Sequence, residues 1–327
     1  MTRLRFAFSM AIALGSLFTP AATEAQQAGR IPRIGYVSTS LTENPQFPEA
    51  FRRGLRDLGY VEGQNILIDF RSAEGNPERM FALTSDLVRL KVDIIDTGGD
   101  PGVPVAKQAT STIPIVFAAF ADPVGSGVVA SLARPGGNIT GIASMTSDLV
   151  GKRLEILKEA LPKLLHVAVL RDPRQPLTDL KLAEAAAKAL GLRLLVIEVR
   201  DIRALDAALA AAKSAQAGAV MNLQSAFLVA HRSRVVEAVA KAGLPAIYHQ
   251  RAFVDAGGLM TYAPDFPDMY RQLAVYVDRI LKGAKPADLP VQLPSKFELI
   301  INQKAAMALG LTIPPSLVLR ADQVIEK

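Results

Sequence analysis

Four times in this chain an amphipathic stretch ends on the same punctuation: Leu58-Gly59-Tyr60, Leu190-Gly191-Leu192, Ala242-Gly243-Leu244 and Leu309-Gly310-Leu311. Glycine just past a helix accepts the left-handed conformation that closes it. A short β-branched or aliphatic run then follows, and a polar exit after that. Helix, glycine, strand and exit in rotation is how a βαβ series looks in sequence. The strand candidates are apolar on consecutive positions, as in Ile115–Phe120 and His166–Leu170, rather than alternating. Such runs belong in a parallel sheet covered on both faces. The residues therefore predict an α/β fold with parallel sheets.

Strands are expected at 33–38, 65–70, 92–97 and 115–120, and again at 166–170, 192–199, 218–223, 245–248 and 297–301. The helix over 47–58 carries Phe47, Phe51, Leu55 and Leu58 on one face and Arg52, Arg53, Arg56 and Asp57 on the other. Asn76-Pro77-Glu78 reads as a helix start, with an N-cap residue before a proline at the first helical position. Between the two series lies Ile113–Gly141, where an apolar run stops at Ala121-Asp122-Pro123 and the chain turns at Pro135-Gly136-Gly137-Asn138. One α/β unit precedes this stretch and a second follows it, so a site is expected between them. In open α/β sheets, ligands bind outside the carboxyl ends of the strands.

The strand exits supply the candidate residues. They are Ser38-Thr39-Ser40, Gly99-Asp100 and Asp122-Pro123 from the first unit, and Asp172, Gln224-Ser225 and Tyr248 from the second. Hydroxyls and helix N-terminal amides suit a carboxylate, because a helix start offers unpaired N–H groups and partial positive charge. Buried Asp122 or Asp172 would suit an ammonium group, and Asp100 would fix a further donor. Together they point to a small zwitterion, amino-acid-like. Helix capping is the structural alternative for each residue, and core packing is the alternative for Tyr248 and Tyr262.

Catalytic motifs are absent. The chain has no GxSxG, no HExxH and no GxxxxGK[ST]. It has no cysteine, which excludes disulfides, thiolate metal sites and cysteine nucleophiles. The three histidines, His166, His231 and His249, lack ligand spacing, so no metal and no cofactor are expected. Gly125-Ser126-Gly127-Val128-Val129-Ala130 matches a dinucleotide fingerprint, but Pro135-Gly136-Gly137 breaks any helix after it. The net charge of +6 is spread among acidic residues, so nucleic-acid binding is not expected. Arg3 and Arg5, an apolar run from Phe6 to Phe18 and the small residues through Ala25 read as a signal peptide over 1–25. With no cysteine at the cut to take a lipid, the product should be free in the periplasm.

Several longer segments carry a family resemblance: FRRGLRDLGYVEGQNI, LVRLKVDIID, TSTIPIVF, ADPVGSGVVASLARPGGNITG, KRLEILKEALP, AGGLMTYAPD, YVDRILKGAKPADLPVQLPSKFELIIN and ALGLTIPPSLVLRADQVIE. The chain resembles the ABC-transporter substrate-binding proteins that include the TrpX-type tryptophan and tyrosine binders. That resemblance implies a type I periplasmic-binding fold, with two Rossmann-like lobes joined by three hinge crossings. It implies lobe 1 at 31–141 plus about 259–290, and lobe 2 at about 142–258 plus about 291–327. It also implies a non-enzymatic monomer that closes on a small-molecule ligand and passes it to an ABC permease with its ATPase at the inner membrane. A periplasmic ligand-sensing receptor of the same fold is the alternative. Asp122-Pro123 matches the family motif. Asp100-Pro101-Gly102 stands where relatives more often show Thr-Pro-Ala, and Arg171-Asp172-Pro173 stands where a Trp-Asn-Pro type is common, so extra charge is expected in the site.

Overall fold

The computed structural model describes residues 30–326 apart from Glu43, Asp100 and Pro101. The expected signal peptide lies outside the described residues. The chain from Pro32 onward is one body built around two sheets. In chain order the first lobe begins with β1 (Arg33–Ser38), α1 (Gln46–Asp57), β2 (Leu67–Ser72), α2 (Pro77–Arg89), β3 (Ile94–Thr97), α3 (Gly102–Ala109), β4 (Ile115–Phe120) and β5 (Ile139–Ala143). These strands form an all-parallel sheet in the order β2-β1-β3-β4-β5.

The chain then builds α4 (Val150–Ala160), β6 (His166–Arg171), α5 (Thr178–Ala189), β7 (Arg193–Glu198), α6 (Leu205–Ser214), β8 (Ala219–Asn222), α7 (Ala226–Ala230), α8 (Arg232–Lys241), β9 (Ala246–Tyr248), α9 (Arg251–Asp255) and β10 (Met260–Pro264). The remaining elements are α10 (Phe266–Leu281), β11 (Phe297–Asn302), α11 (Gln303–Ala308), α12 (Pro315–Arg320) and β12 (Gln323–Ile325). The second sheet runs β12-β11-β10-β9-β8-β6-β7, and only its β10–β11 pair is antiparallel.

The consecutive apolar pattern has the expected cause. β3, β5 and β8 are buried along their whole length, whereas the edge strands β2 and β7 are half-buried or exposed. In the first lobe, one face of the sheet packs Ile34, Tyr36 and Val116 against Phe51 of α1 and Leu273 and Val277 of α10. The other face packs Val37, Ile95 and Phe117 against Leu87 and Val103. All four glycines of the repeated punctuation have positive φ, between 64° and 87°.

The chain crosses between lobes three times: after β5, after β10, and again between a bridge from Ile142 to Gln292 and the start of β11. The second crossing falls later than the expected boundary near 259. β10 pairs with β9 and β11 in the second sheet, and only after Pro264 does the chain return as α10. β5, β10 and β12 were not expected as strands. Each is short, β5 contains Gly141, and β10 ends in proline. The glycines at 125 and 127 lead into turns, so no dinucleotide-type helix follows them.

Candidate functional site

A cleft of about 690 Å3 is lined by the carboxyl ends of strands from both sheets. The first lobe contributes Phe120 to Ser126 at the end of β4, and Ala143 at the end of β5. The second contributes Arg171 and Asp172 at the end of β6, Thr178 and Asp179 at the start of α5, and Leu223 and Gln224 after β8. Met145, Ser147 and Asp148 of the first crossing close one side.

The first-lobe wall is shaped by its backbone. β4 carries an irregularity at Ala119, which has φ +66°. Gly99, with φ +84°, lies against it: a Cβ there would sit 2.8 Å from each of the Ala118 and Ala119 carbonyl oxygens. Only glycine lets the exits of β3 and β4 approach so closely. Asp122 then holds its own turn. Its Oδ1 accepts from the Gly125 N–H at 2.7 Å, and its carbonyl accepts from the Ser126 hydroxyl at 2.6 Å.

The second-lobe wall is wired by side chains. Arg171 donates to Glu198 at 2.7 Å and to the Gln175 carbonyl at 3.0 Å. Asp172, only 2% exposed, accepts from Arg174 Nε at 2.7 Å, Arg174 Nη2 at 3.0 Å and the Ser225 hydroxyl at 2.9 Å. Burial opposes its ionisation, but the Arg174 and Ser225 hydrogen bonds outweigh that and hold the carboxyl below its ordinary value. Arg174 lies over the Phe227 ring at 4.4 Å. The first crossing is fastened to this wall, with the Thr146 hydroxyl bonded to Gln224 and the Ser147 hydroxyl to Asp179 at 2.6 Å.

Behind the crossing sits Arg153, 1% exposed, which donates to the carbonyls of Tyr262 (2.8 Å), Thr146 (3.2 Å) and His249 (3.4 Å). Burial pulls its pKa down to about 10, so it stays cationic at neutral pH. Burial, and then the charge of Arg153, pull His249 down to about 3, so its ring is neutral there.

Of the residues proposed from sequence, Asp122, Pro123, Asp172 and Gln224 line the cleft. Gly99 shapes the wall from behind, and Asp100 is outside the described residues. The other candidates are placed elsewhere. Ser38, Thr39 and Ser40 lie outside the lining, and the carbonyls of Ser38 and Thr39 hold the loop after β2 through the Ala73 and Gly75 N–H groups at 2.9 Å each. Ser225 caps α7 through the Leu228 N–H at 3.2 Å and stands behind Asp172. Tyr248 is in the core, 1% exposed and stacked on Phe253 with ring centres 5.0 Å apart. Asp122 is also exposed rather than buried.

The strand-exit rule missed Met145, Ser147, Asp148 and Asp179 because they belong to a crossing and a helix start. The acidic pair at 148 and 179 had one legible signal, since Asp179 follows the expected helix start at Thr178. Among the described residues, no group of three or more His, Asp or Glu side chains is placed to hold a metal ion.

Two Rossmann-like lobes with parallel-dominated sheets, crossing three times around a lined hollow, define a type I periplasmic-binding-protein fold. A model of the family described as "ABC transporter substrate binding protein" matches residues 46–325, and the chain belongs to that family. Its members are binding proteins, not enzymes. The chain is 27% identical over 277 residues to a tyrosine-binding protein of Clostridioides difficile, across 84% of this chain and 80% of that one. An ABC domain from Streptococcus pneumonia, solved in complex with L-Trp, superposes with a TM-score of 0.82 at 26% identity, over 90% of this chain and 100% of that one. The ligand-free, open form of a Clostridium difficile substrate-binding protein with adhesive properties shares the fold, with a TM-score of 0.73 at 22% identity over 91% of this chain and 100% of that one.

Proposed function

We propose that this protein is the periplasmic solute-binding component of an ABC uptake transporter. It captures a small, amino-acid-like solute between its lobes and delivers it, chemically unchanged, to a membrane permease. The observation that carries this reading is the cleft itself: about 690 Å3, lined from both sheets and from the crossing between them. A cavity of that size suits a small organic molecule, and gripping it from both lobes favours the closed arrangement. Asp122, Asp172 and Gln224 are its polar contacts in this reading, with Pro123 and Phe120 on the apolar side. Relatives that bind tyrosine and L-Trp support the amino-acid-like class. The apolar run at Phe6–Phe18 supports export, and the chain is expected in the periplasmic fraction of cells that express it.

A thermal-shift screen on protein stripped of co-purified solute tests the reading. A ligand held at 100 times its dissociation constant adds about 2.7 kcal/mol to stability. Small-angle scattering should then show a more compact protein with that ligand than without it. A ligand that is turned over, or a library of amino acids and related amines that leaves the transition unmoved, would sink it.

A further inference from the structure

Resting on that reading of the cleft, we propose that its ligand is a cation: a primary amine attached to an apolar body and carrying no free carboxylate. An amino-acid amide, an amino-acid ester or an arylalkyl amine has this chemistry, whereas a zwitterionic amino acid does not.

The argument begins with what an incoming carboxylate would need. Four features of the cleft and its rim suit an anion, and each is already answered by one of the chain's own carboxylates; a fifth, Lys107, is held by a backbone carbonyl. The turn after β4 presents the Gly125 N–H, which Asp122 takes at 2.7 Å. α5 starts at the cleft with no side-chain cap, and Asp179 stands in its first turn. A carboxylate there already answers the positive end of the helix. Arg171 is paired with Glu198, and Arg174 with Asp172. Lys107, beside the same turn as Asp122, is held by the Gly127 carbonyl at 2.6 Å.

An incoming ammonium meets the opposite situation. Asp122, Asp148 and Asp179 all line the cleft, and none has a basic side chain within ion-pairing distance among the described residues. Asp122 and Asp148 are exposed to it, while Asp179 keeps one oxygen beyond its bond to Ser147. Arg153 offsets Asp179 in part, acting from behind the crossing. Counting the cleft with its paired neighbours Glu198 and Arg174, and with Arg153 and Lys107, leaves five carboxylates against four cations. The rest of the lining is mainly apolar, with Phe120, Leu132, Met145, Leu182, Leu223 and Leu293 set to cover the body of the ligand. Attraction without a matching anion site among the described residues selects for charge as well as shape.

The test uses matched probes that differ only at the carboxylate. Phenylalanine, tyrosine and leucine would each be titrated as the free amino acid, its amide, its decarboxylated amine and its deaminated acid. The amide and the amine should bind at least tenfold more tightly than the parent amino acid, and more weakly as salt is raised. The deaminated acid should not bind. Asp122→Asn combined with Asp148→Asn should cut amide affinity at least tenfold and narrow the gap to the amino acid. An amino acid that binds as tightly as its amide would overturn this inference and leave the solute-binding reading intact. Silence from every probe would overturn both. A double variant that binds the amide unchanged would overturn the role of the carboxylates.

Discussion

The two walls of the cleft are built on different principles. The first-lobe wall is held by backbone geometry: Gly99 tucked under β4, the turned-out Ala119, and a loop that Asp122 ties to itself. The second-lobe wall is held by side-chain pairs: Arg171 with Glu198, Asp172 with Arg174 and Ser225, and the crossing clamped by Arg153. Each lobe also buries a group that is charged in water, Arg153 in one and Asp96 in the other, and these differ in the same way. Arg153 finds three carbonyls, while Asp96, 0% exposed, finds no hydrogen-bond partner for either oxygen among the described residues. Burial therefore raises the Asp96 pKa well above the ordinary value. A polar group under one wall carries structure; its counterpart under the other is a standing cost.

The largest expected effect breaks the wired side. Arg153→Met should lower stability by about 3 kcal/mol or more, because it strands carbonyls in a buried site. A urea denaturation midpoint measures this, and an unchanged midpoint would remove Arg153 from the account. Gly99→Ala attacks the geometric side. The left-handed conformation and the two carbonyl contacts together should cost about 2 kcal/mol, and affinity for any cleft ligand should fall as β4 shifts.

Asp96→Asn should act in the opposite direction. Folding raises this carboxyl's pKa, so the native state keeps a proton that the unfolded chain releases above about pH 4. Wild-type stability should consequently fall as the pH climbs from about 4 toward the raised value. The asparagine variant should lose that slope and gain at least about 1 kcal/mol at neutral pH. His249 supplies the contrasting slope from the second lobe. Held at about 3, it makes stability fall as the pH drops below the unfolded histidine value of about 6.5. Smallest of all should be Tyr248→Phe, which keeps the ring stacked on Phe253 and should leave ligand affinity within about twofold by calorimetry.

The same contrast decides how much was legible in the sequence. Helices closed by glycine and strands apolar throughout are local signals, and they appear where expected, as at Gly59, Gly191 and in Ile115–Phe120. Asp122, Asp172 and Gln224 could be found because a polar residue after an apolar strand must leave the sheet at its carboxyl edge. The same rule over-reached at Ser38–Ser40 and Tyr248. An exit residue can turn into its own loop or back into the core, and only tertiary packing decides which. Arg153 was invisible in this sense. In sequence it is a polar position on an ordinary helix, and its carbonyl partners at 249 and 262 lie about a hundred residues away. Asp96 was hidden inside an apolar strand for the same reason.

One packing contact sets a timetable. α1 and β1 belong to the opening stretch of the chain, yet the helix that covers them, α10, is encoded about two hundred residues later. A ribosome must finish the strands of the other lobe before that cover exists. Until then Tyr36 and Phe51 have no lid, and contacts so remote in sequence are slow to form. The core of the first lobe is thereby completed only once the chain has passed Leu281.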